Sequence, residues 1–303
     1  MNVNKQELAQ IAQQHMGAAV QDMRYLGAGG SGKVWLANLS DGQCVILKVF
    51  RRSGEMQAEA TQLQFIAQHC QAAMPRVLFT HSCGQHEVLG MTKVPGRNAL
   101  DPRLLLRSRA KKAAFANDVA QNLLQLHGIR GQGYGNLQHP THNSWLAYYN
   151  ETIAQPTLSC LQAAAAQGKF SKRTVALLCE GYACYEQLAQ EPEHAVLIHG
   201  DINLANIMAD PNTLRLTGFI DPCEVIWAAR EYGLFQLQNM WGNCYGLYDA
   251  YKAQHAMPPH SDFIIAFYGA LNEARVFAVS GMHYGVWQQL WNRRLRAQLR
   301  RIK

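Results

Sequence analysis

The sequence predicts an α+β protein of two lobes: an antiparallel sheet carrying one main helix, followed by a larger, mostly helical part. Three observations carry that expectation. Residues 34–39 and 44–50 are β-rich runs joined by Ser40-Asp41-Gly42, which has the chemistry of a hairpin turn. Beyond Val94-Pro95-Gly96, apolar residues recur at helical spacing over 100–127, 170–190 and 262–290, where Gly and Pro are scarce. A chain of 303 residues with 48% hydrophobic and 16% charged residues can bury a large core and is not of disordered composition. The first lobe is therefore expected over 1–95 and the second over 96–303.

At the start of the chain, Asn4 and Glu7 have the spacing of a capping box before a short helix. A glycine-rich stretch follows, in which Gly27, Gly29, Gly30, Ser31, Gly32, Lys33 and Val34 satisfy three phosphate-loop patterns at once. Read as G-x-x-x-x-G-K-[ST], the stretch fails at Val34, which has no hydroxyl, and no helix follows. The dinucleotide G-x-G-x-x-G also needs a helix, with an acid about 20 residues later, and neither is present. Read as G-x-G-x-x-G-x-V, the glycines close a turn between antiparallel strands, where bare backbone amides can approach phosphate oxygens. That reading requires a lysine on the third strand, and Lys48 stands there among Val45, Leu47 and Val49.

A lysine in such apolar company needs an anionic partner. Met56, Leu63 and Ile66 recur at helical spacing, and Glu59 lies on their face, which makes it the expected partner. Glu55, one turn earlier, is the reserve.

In the second lobe, His199-Gly200-Asp201 is followed five residues later by Asn206, and then by Ile220-Asp221-Pro222. A carboxylate at Asp201 can accept a proton from an attacking hydroxyl. An amide at Asn206 and a carboxylate at Asp221 can hold Mg2+. Residues 206–208 read as a short strand, Asp210-Pro211-Asn212 as a turn and 214–220 as a returning strand. That hairpin would bring Asn206 and Asp221 to the same end.

These residues together resemble the kinase-like small-molecule phosphotransferases, the group of aminoglycoside phosphotransferases, fructosamine kinases and choline kinases. The likeness runs from about residue 20 onward. It rests on the 27–34 loop, Lys48, Glu59, the hinge-like Met91 to Gly96, His199-Gly200-Asp201 with Asn206, and Ile220-Asp221-Pro222. Arg230-Glu231-Tyr232 with Leu234 resembles the helix start after the metal aspartate in fructosamine-kinase relatives.

The resemblance implies a bilobal protein-kinase-like fold, with ATP against the hinge at Met91 and Val94. Lys48 and Glu59 would face the α- and β-phosphates, with Mg2+ on Asn206 and Asp221 and with Asp201 as base. The expected reaction is transfer of the γ-phosphate to the hydroxyl of a small molecule, aminoglycoside phosphotransferase-like. A fructosamine, ketosamine or amino-alcohol kinase and a catalytically silent nucleotide-binding regulator are the alternatives. A protein acceptor is disfavoured: Gly200 replaces the arginine that reads a phosphorylated activation loop, and only nine residues separate Asp221 from Glu231.

The remaining features bound this reading. No apolar run approaches the ~20 residues that span a bilayer, so no membrane role is expected. Eight cysteines without a Cys-x-x-Cys pair suggest reduced thiols in the cytoplasm, with Cys179 and Cys184 as helix packing residues. His139 and His142 form an H-x-x-H without a third ligand and are not read as a metal site. Trp145, opening a helix after Ser144, is a core residue or a wall of the acceptor site. His199 is expected to brace the catalytic loop by hydrogen bonding.

Of the net charge of +7, six positive charges lie in 293–303, which contains no acid and reads as the basic end of the last helix. That segment alone does not justify a nucleic-acid function. An acidic acceptor site could draw on Glu224, Glu231 and Asp249.

Overall fold

The computed structural model describes residues 4–69, 73–83, 86–282 and 285–302. They fall into two compact units, Met1–Ala99 with Asn206–Cys223, and Leu100–Ala205 with Glu224–Lys303. The first unit thus takes in the Asn206 hairpin as well as the N-terminal residues, where the sequence suggested a single division at 95/96.

The chain enters through α1 (Lys5–Met16), whose N-terminus carries the capping box: Gln6 N donates to Asn4 Oδ1 at 2.9 Å and Asn4 N to Glu7 Oε2 at 3.1 Å. Strands β1 (Val20–Ala28), β2 (Gly32–Leu39) and β3 (Cys44–Phe50) follow, then α2 (Glu55–His69), β4 (Val77–Cys83) and β5 (His86–Met91). These strands form one antiparallel sheet in the order β1-β2-β3-β5-β4. One face packs on Leu8, Ile11 and Ala12 of α1, and the other on Met56, Ala60 and Leu63 of α2.

The short β6 (Arg97–Asn98) belongs to a second sheet that is completed later in the chain. The second unit then opens with α3 (Pro102–Leu105) and α4 (Arg109–His127), separated at the Ser108 N-cap where the sequence suggested one helix. Strands β7 (Arg130–Gly131) and β8 (Gly135–Asn136) lead to α5 (Trp145–Tyr149), which runs through a π-turn into α6 (Gln155–Ala166). Next come α7 (Lys172–Leu188) and β9 (Ala195–Ile198).

The chain returns to the first unit as β10 (Ile207–Ala209) and β11 (Leu216–Phe219), which complete the order β11-β10-β6. In the second unit, β12 (Ile226–Ala228) joins β9 in the sheet β7-β9-β12-β8. Helices α8 (Arg230–Leu234), α9 (Leu247–Gln254), α10 (Ser261–Ser280) and α11 (Gly285–Ile302) follow.

The single helix expected over 262–290 is two helices. Gly281 ends α10 in the left-handed region (φ 72°), donating its N–H to Phe277 O, a conformation that favours glycine. Helix α10 also corrects the membrane reading. By length and composition it is apolar enough to cross a bilayer, although Asp262, Glu273 and Arg275 interrupt its apolar run. It is mostly a core helix, with 56% of its apolar window buried inside the protein.

His127, at the end of α4, is buried, and its Nδ1 lies 2.8 Å from the Tyr251 hydroxyl. Burial first, then the charges of Arg230 and His255, hold its pKa at about 3, below the ordinary 6.5. A depressed histidine stabilises fully above its unfolded pKa and loses that contribution as pH falls towards the folded value. Acidification from about pH 6.5 to 5 should therefore remove about 2 kcal/mol through this group. Urea midpoints measured across that range should fall steeply for the wild type and less steeply for His127→Gln.

Candidate active site

Lys48 projects from β3 and is 5% exposed. Its Nζ donates to Glu59 Oε2 at 2.6 Å and to Asp221 Oδ1 at 2.5 Å. Glu59, on the buried face of α2, is thus the helix acid that meets the lysine, while Glu55 lies 3.8 Å from Arg52. Burial opposes the charge on Lys48, but the two carboxylates outweigh it and raise its pKa. For Glu59 burial is the largest influence, raising its carboxyl to about 7 against the pull of the ammonium.

The hairpin forms as its sequence suggests. Asp210 Oδ1 accepts from the N–H groups of Asn212 and Thr213, which closes the turn. Ile207 pairs with Phe219, and Ile220 N donates to Asn206 O at 2.9 Å, so Asn206 and Asp221 emerge side by side. Asp221 has a left-handed backbone (φ 56°) immediately before Pro222, an arrangement that a following proline disfavours. Such strain persists where surrounding contacts enforce it, often at functional positions.

Lys48, Glu59, Asn206 and Asp221 line one cavity of about 500 Å3, walled entirely by the first unit. Val34, Leu36 and Ile46 form part of its apolar side, with Met91 and Val94 along the hinge-like segment. Thr92 N donates to Arg76 O and Arg76 N to Thr92 Oγ1, fixing that segment's path. Gly27, Gly29, Gly30, Ser31 and Gly32 do not line the cavity; they run from the end of β1 through the turn to the first residue of β2, closed by Gly29 N donating to Gly32 O. Gly32 has a packing reason of its own, because a Cβ there would lie 2.2 Å from Val49 O.

Asn206 and Asp221 offer only oxygen donors. Lys48 occupies Asp221 Oδ1, and the carboxylate is 46% exposed. One carboxylate beside an amide oxygen suits Mg2+, which takes its remaining ligands from water and phosphate.

Asp201 lies in the second unit, on the loop that leaves β9. Its Oδ1 accepts from Asn203 Nδ2 at 2.7 Å, and its N–H points at Nδ1 of the buried His199 at 3.4 Å. Glu273 of α10 is near enough to feel this carboxylate. Burial, and then the Asp201 charge, raise Glu273 to about 7. Sequence reasoning did not single out Glu273; a lone acid inside the apolar stretch of α10 was the available signal.

The acids suggested for an acceptor site are not gathered in one place. Glu224 is taken by a two-pronged contact from Arg275 at 2.9 and 3.0 Å. Glu231 lines one cavity with His127, and Asp249 lines another with Lys252. Trp145 is a core residue, donating from Nε1 to the Tyr268 hydroxyl at 2.8 Å. His142 contacts Thr141 and Glu151.

The fold, with its antiparallel sheet unit and helical unit, is that of the small-molecule phosphotransferases. The chain belongs to the phosphotransferase enzyme family, whose profile matches residues 22–266. No curated protein sequence matches it.

Among solved structures, a protein of Thermobifida fusca YX-ER1 provisionally named a fructosamine-3-kinase is similar over 99% of this chain and 100% of its own, at 20% identity and TM-score 0.73. APH(2")-IIia, solved with GDP and kanamycin, is 16% identical over 98% of this chain and 99% of its own, with TM-score 0.68. The macrolide 2'-phosphotransferase MphH of Brachybacterium faecium is 18% identical over 95% and 97%, with TM-score 0.61.

Removing the lysine would leave Glu59 buried without its cation. Lys48→Met should destabilise the protein by about 3–5 kcal/mol, and adding Glu59→Gln should recover most of that loss. Urea unfolding of the two single variants and the double variant measures the coupling.

Proposed function

We infer that this enzyme transfers the γ-phosphate of ATP, with Mg2+, to a hydroxyl of a small molecule that also carries an amino group. The observation that carries the reading is the buried Lys48 held between Glu59 and Asp221 at a cavity with an apolar side. A fixed cation beside a partly exposed carboxylate and an amide suits a triphosphate chain, and the apolar side suits a purine.

In this mechanism the adenine lies among Val34, Leu36 and Ile46, its edge against the segment from Met91 to Val94. Glu59 holds Lys48 against the α- and β-phosphates, and the 27–34 loop covers them. Asn206 and Asp221 would hold Mg2+, whose charge would offset that of the triphosphate. Asp201, only five residues before Asn206 in the chain, orients the acceptor hydroxyl and takes its proton. Asn203, donating to Asp201 Oδ1, keeps the carboxylate aimed. The free thiols of the described cysteines suit a reducing cytoplasm, where ATP is at hand.

The amino group is inferred from Glu273. A second half-buried carboxyl within electrostatic reach of Asp201 would repel the base's charge unless it were protonated or met a cation. An ammonium group on the acceptor supplies that cation. Aminoglycosides, ketosamines and amino alcohols all meet this requirement.

Two outcomes test the reading in an ADP-release assay across those acceptor classes. Asp201→Asn should lower kcat by about 10²–10⁴-fold while the thermal shift given by Mg-ATP persists; full retained turnover would remove Asp201 as the base. For an amine-bearing acceptor, KM should fall as pH rises through about 7, where Glu273 ionises, and Glu273→Gln should flatten that dependence. A KM indifferent to both changes would exclude the ammonium contact.

A further inference from the structure

A separate cavity of about 350 Å3 lies wholly in the second unit, between the start of α7 and residues 285–296 of α11. Its charge is one-sided. Arg173, Arg293 and Arg296 line it, and among the described residues no acid does. Among the described residues, none of these three arginine side chains makes a hydrogen bond or an ion pair. Guanidinium groups gathered without a counter-charge repel one another, so their common cavity favours an anion.

The backbone adds to this. Ser171 caps α7, its Oγ accepting from Thr174 N at 3.3 Å. The cavity therefore meets the N-terminus of a 17-residue helix, where first-turn N–H groups lack partners within the helix and the dipole favours negative charge.

A buried row of polar side chains also lines the cavity. Gln288 is 3% exposed and Asn292 is 4% exposed. Gln288 Nε2 donates to Ala270 O at 3.1 Å and to Asn292 Oδ1 at 3.0 Å, and Asn292 Nδ2 donates to Thr174 Oγ1 at 3.2 Å. Gln288 Oε1 has no hydrogen-bond partner. A buried acceptor left in that state is unfavourable, so the site gains from a ligand hydroxyl as well as from an anion.

We propose that this cavity binds a small phosphate monoester bearing a free hydroxyl, of the polyol or sugar phosphate class. The phosphate meets the arginines and the α7 N-terminus, and the hydroxyl donates to Gln288 Oε1. The volume suits a compact metabolite. The basic segment does not form one continuous stripe for a nucleic-acid backbone, because Arg294 stacks on Trp291 and donates to Gln238 O.

Calorimetric titration of the full-length protein with glycerol 3-phosphate, inorganic phosphate, glycerol and a short single-stranded oligonucleotide tests the proposal. Glycerol 3-phosphate should bind, more tightly than inorganic phosphate, and glycerol alone should not. Arg173→Gln/Arg293→Gln, which alters two exposed side chains, should weaken that binding by about tenfold or more with melting temperature and circular dichroism unchanged. Arg173→Lys/Arg293→Lys should retain part of it.

No binding of glycerol 3-phosphate, or the same affinity in the glutamine variant, would overturn the proposal. So would arginine-dependent binding of the oligonucleotide alone. None of these readings depends on nucleotide turnover, so failure here leaves the phosphotransfer reading untouched, and the reverse holds.

Discussion

A buried ammonium group sets the terms for the first unit. Lys48 sits on a central strand among apolar residues, and leaving it there unpaired would cost several kcal/mol. One counter-charge comes from α2, which fixes that helix against the sheet. The other comes from Asp221, 173 positions away in sequence. Together with the β6–β10 pairing, this second contact joins β10 and β11 to a unit otherwise made of the first 99 residues. Two glycines permit the close fit: a Cβ on Gly218 would lie 2.2 Å from Ala73 O, and one on Gly96 2.3 Å from Ala209 O.

The sequence made this arrangement legible where the chemistry was local or periodic. Helical spacing was enough to choose Glu59 over Glu55, and the Asp210 turn was enough to pair Asn206 with Asp221. What it did not reveal depends on distant surfaces meeting. Glu273 looks like an ordinary helical acid until α10 brings it to Asp201. The membership of the hairpin in the first unit follows from its pairing with β6 and from a long-range ion pair, neither of which any local window of residues contains. The break at Gly281 was missed for a different reason: the apolar spacing continues on both sides, and a single glycine inside a helical pattern does not by itself mark an end.

Asp201 depends on a different kind of support. The strand before its loop, β9, pairs with β12, and α8 begins two residues after β12 ends. Tyr232 of α8 is buried against Trp145 and Tyr268. Trp145 donates to the Tyr268 hydroxyl, which lies 3.2 Å from that of Tyr185. Burial raises the pKa of these tyrosines, so their hydroxyls stay neutral and available for hydrogen bonding. A packed aromatic cluster with these hydroxyls hydrogen-bonded is a firm base for the loop that carries Asp201.

The charge distribution within the second unit explains why a net charge of +7 does not argue against a cationic acceptor. Charges separated by more than about 8–10 Å of solvent are largely screened at ordinary ionic strength, so the local balance decides what a site attracts. Around Asp201 that balance is acidic: Glu273 adds a second carboxyl, and Arg275 on the same helix is neutralised by Glu224. The surplus of positive charge is carried largely by α11, where Leu295 and Leu299 face the core and arginines occupy much of the opposite surface. A positively charged last turn also suits that helix's own dipole. The basic composition is therefore largely a property of one helix, and under the proposed function the acceptor would be selected by Glu273 on another.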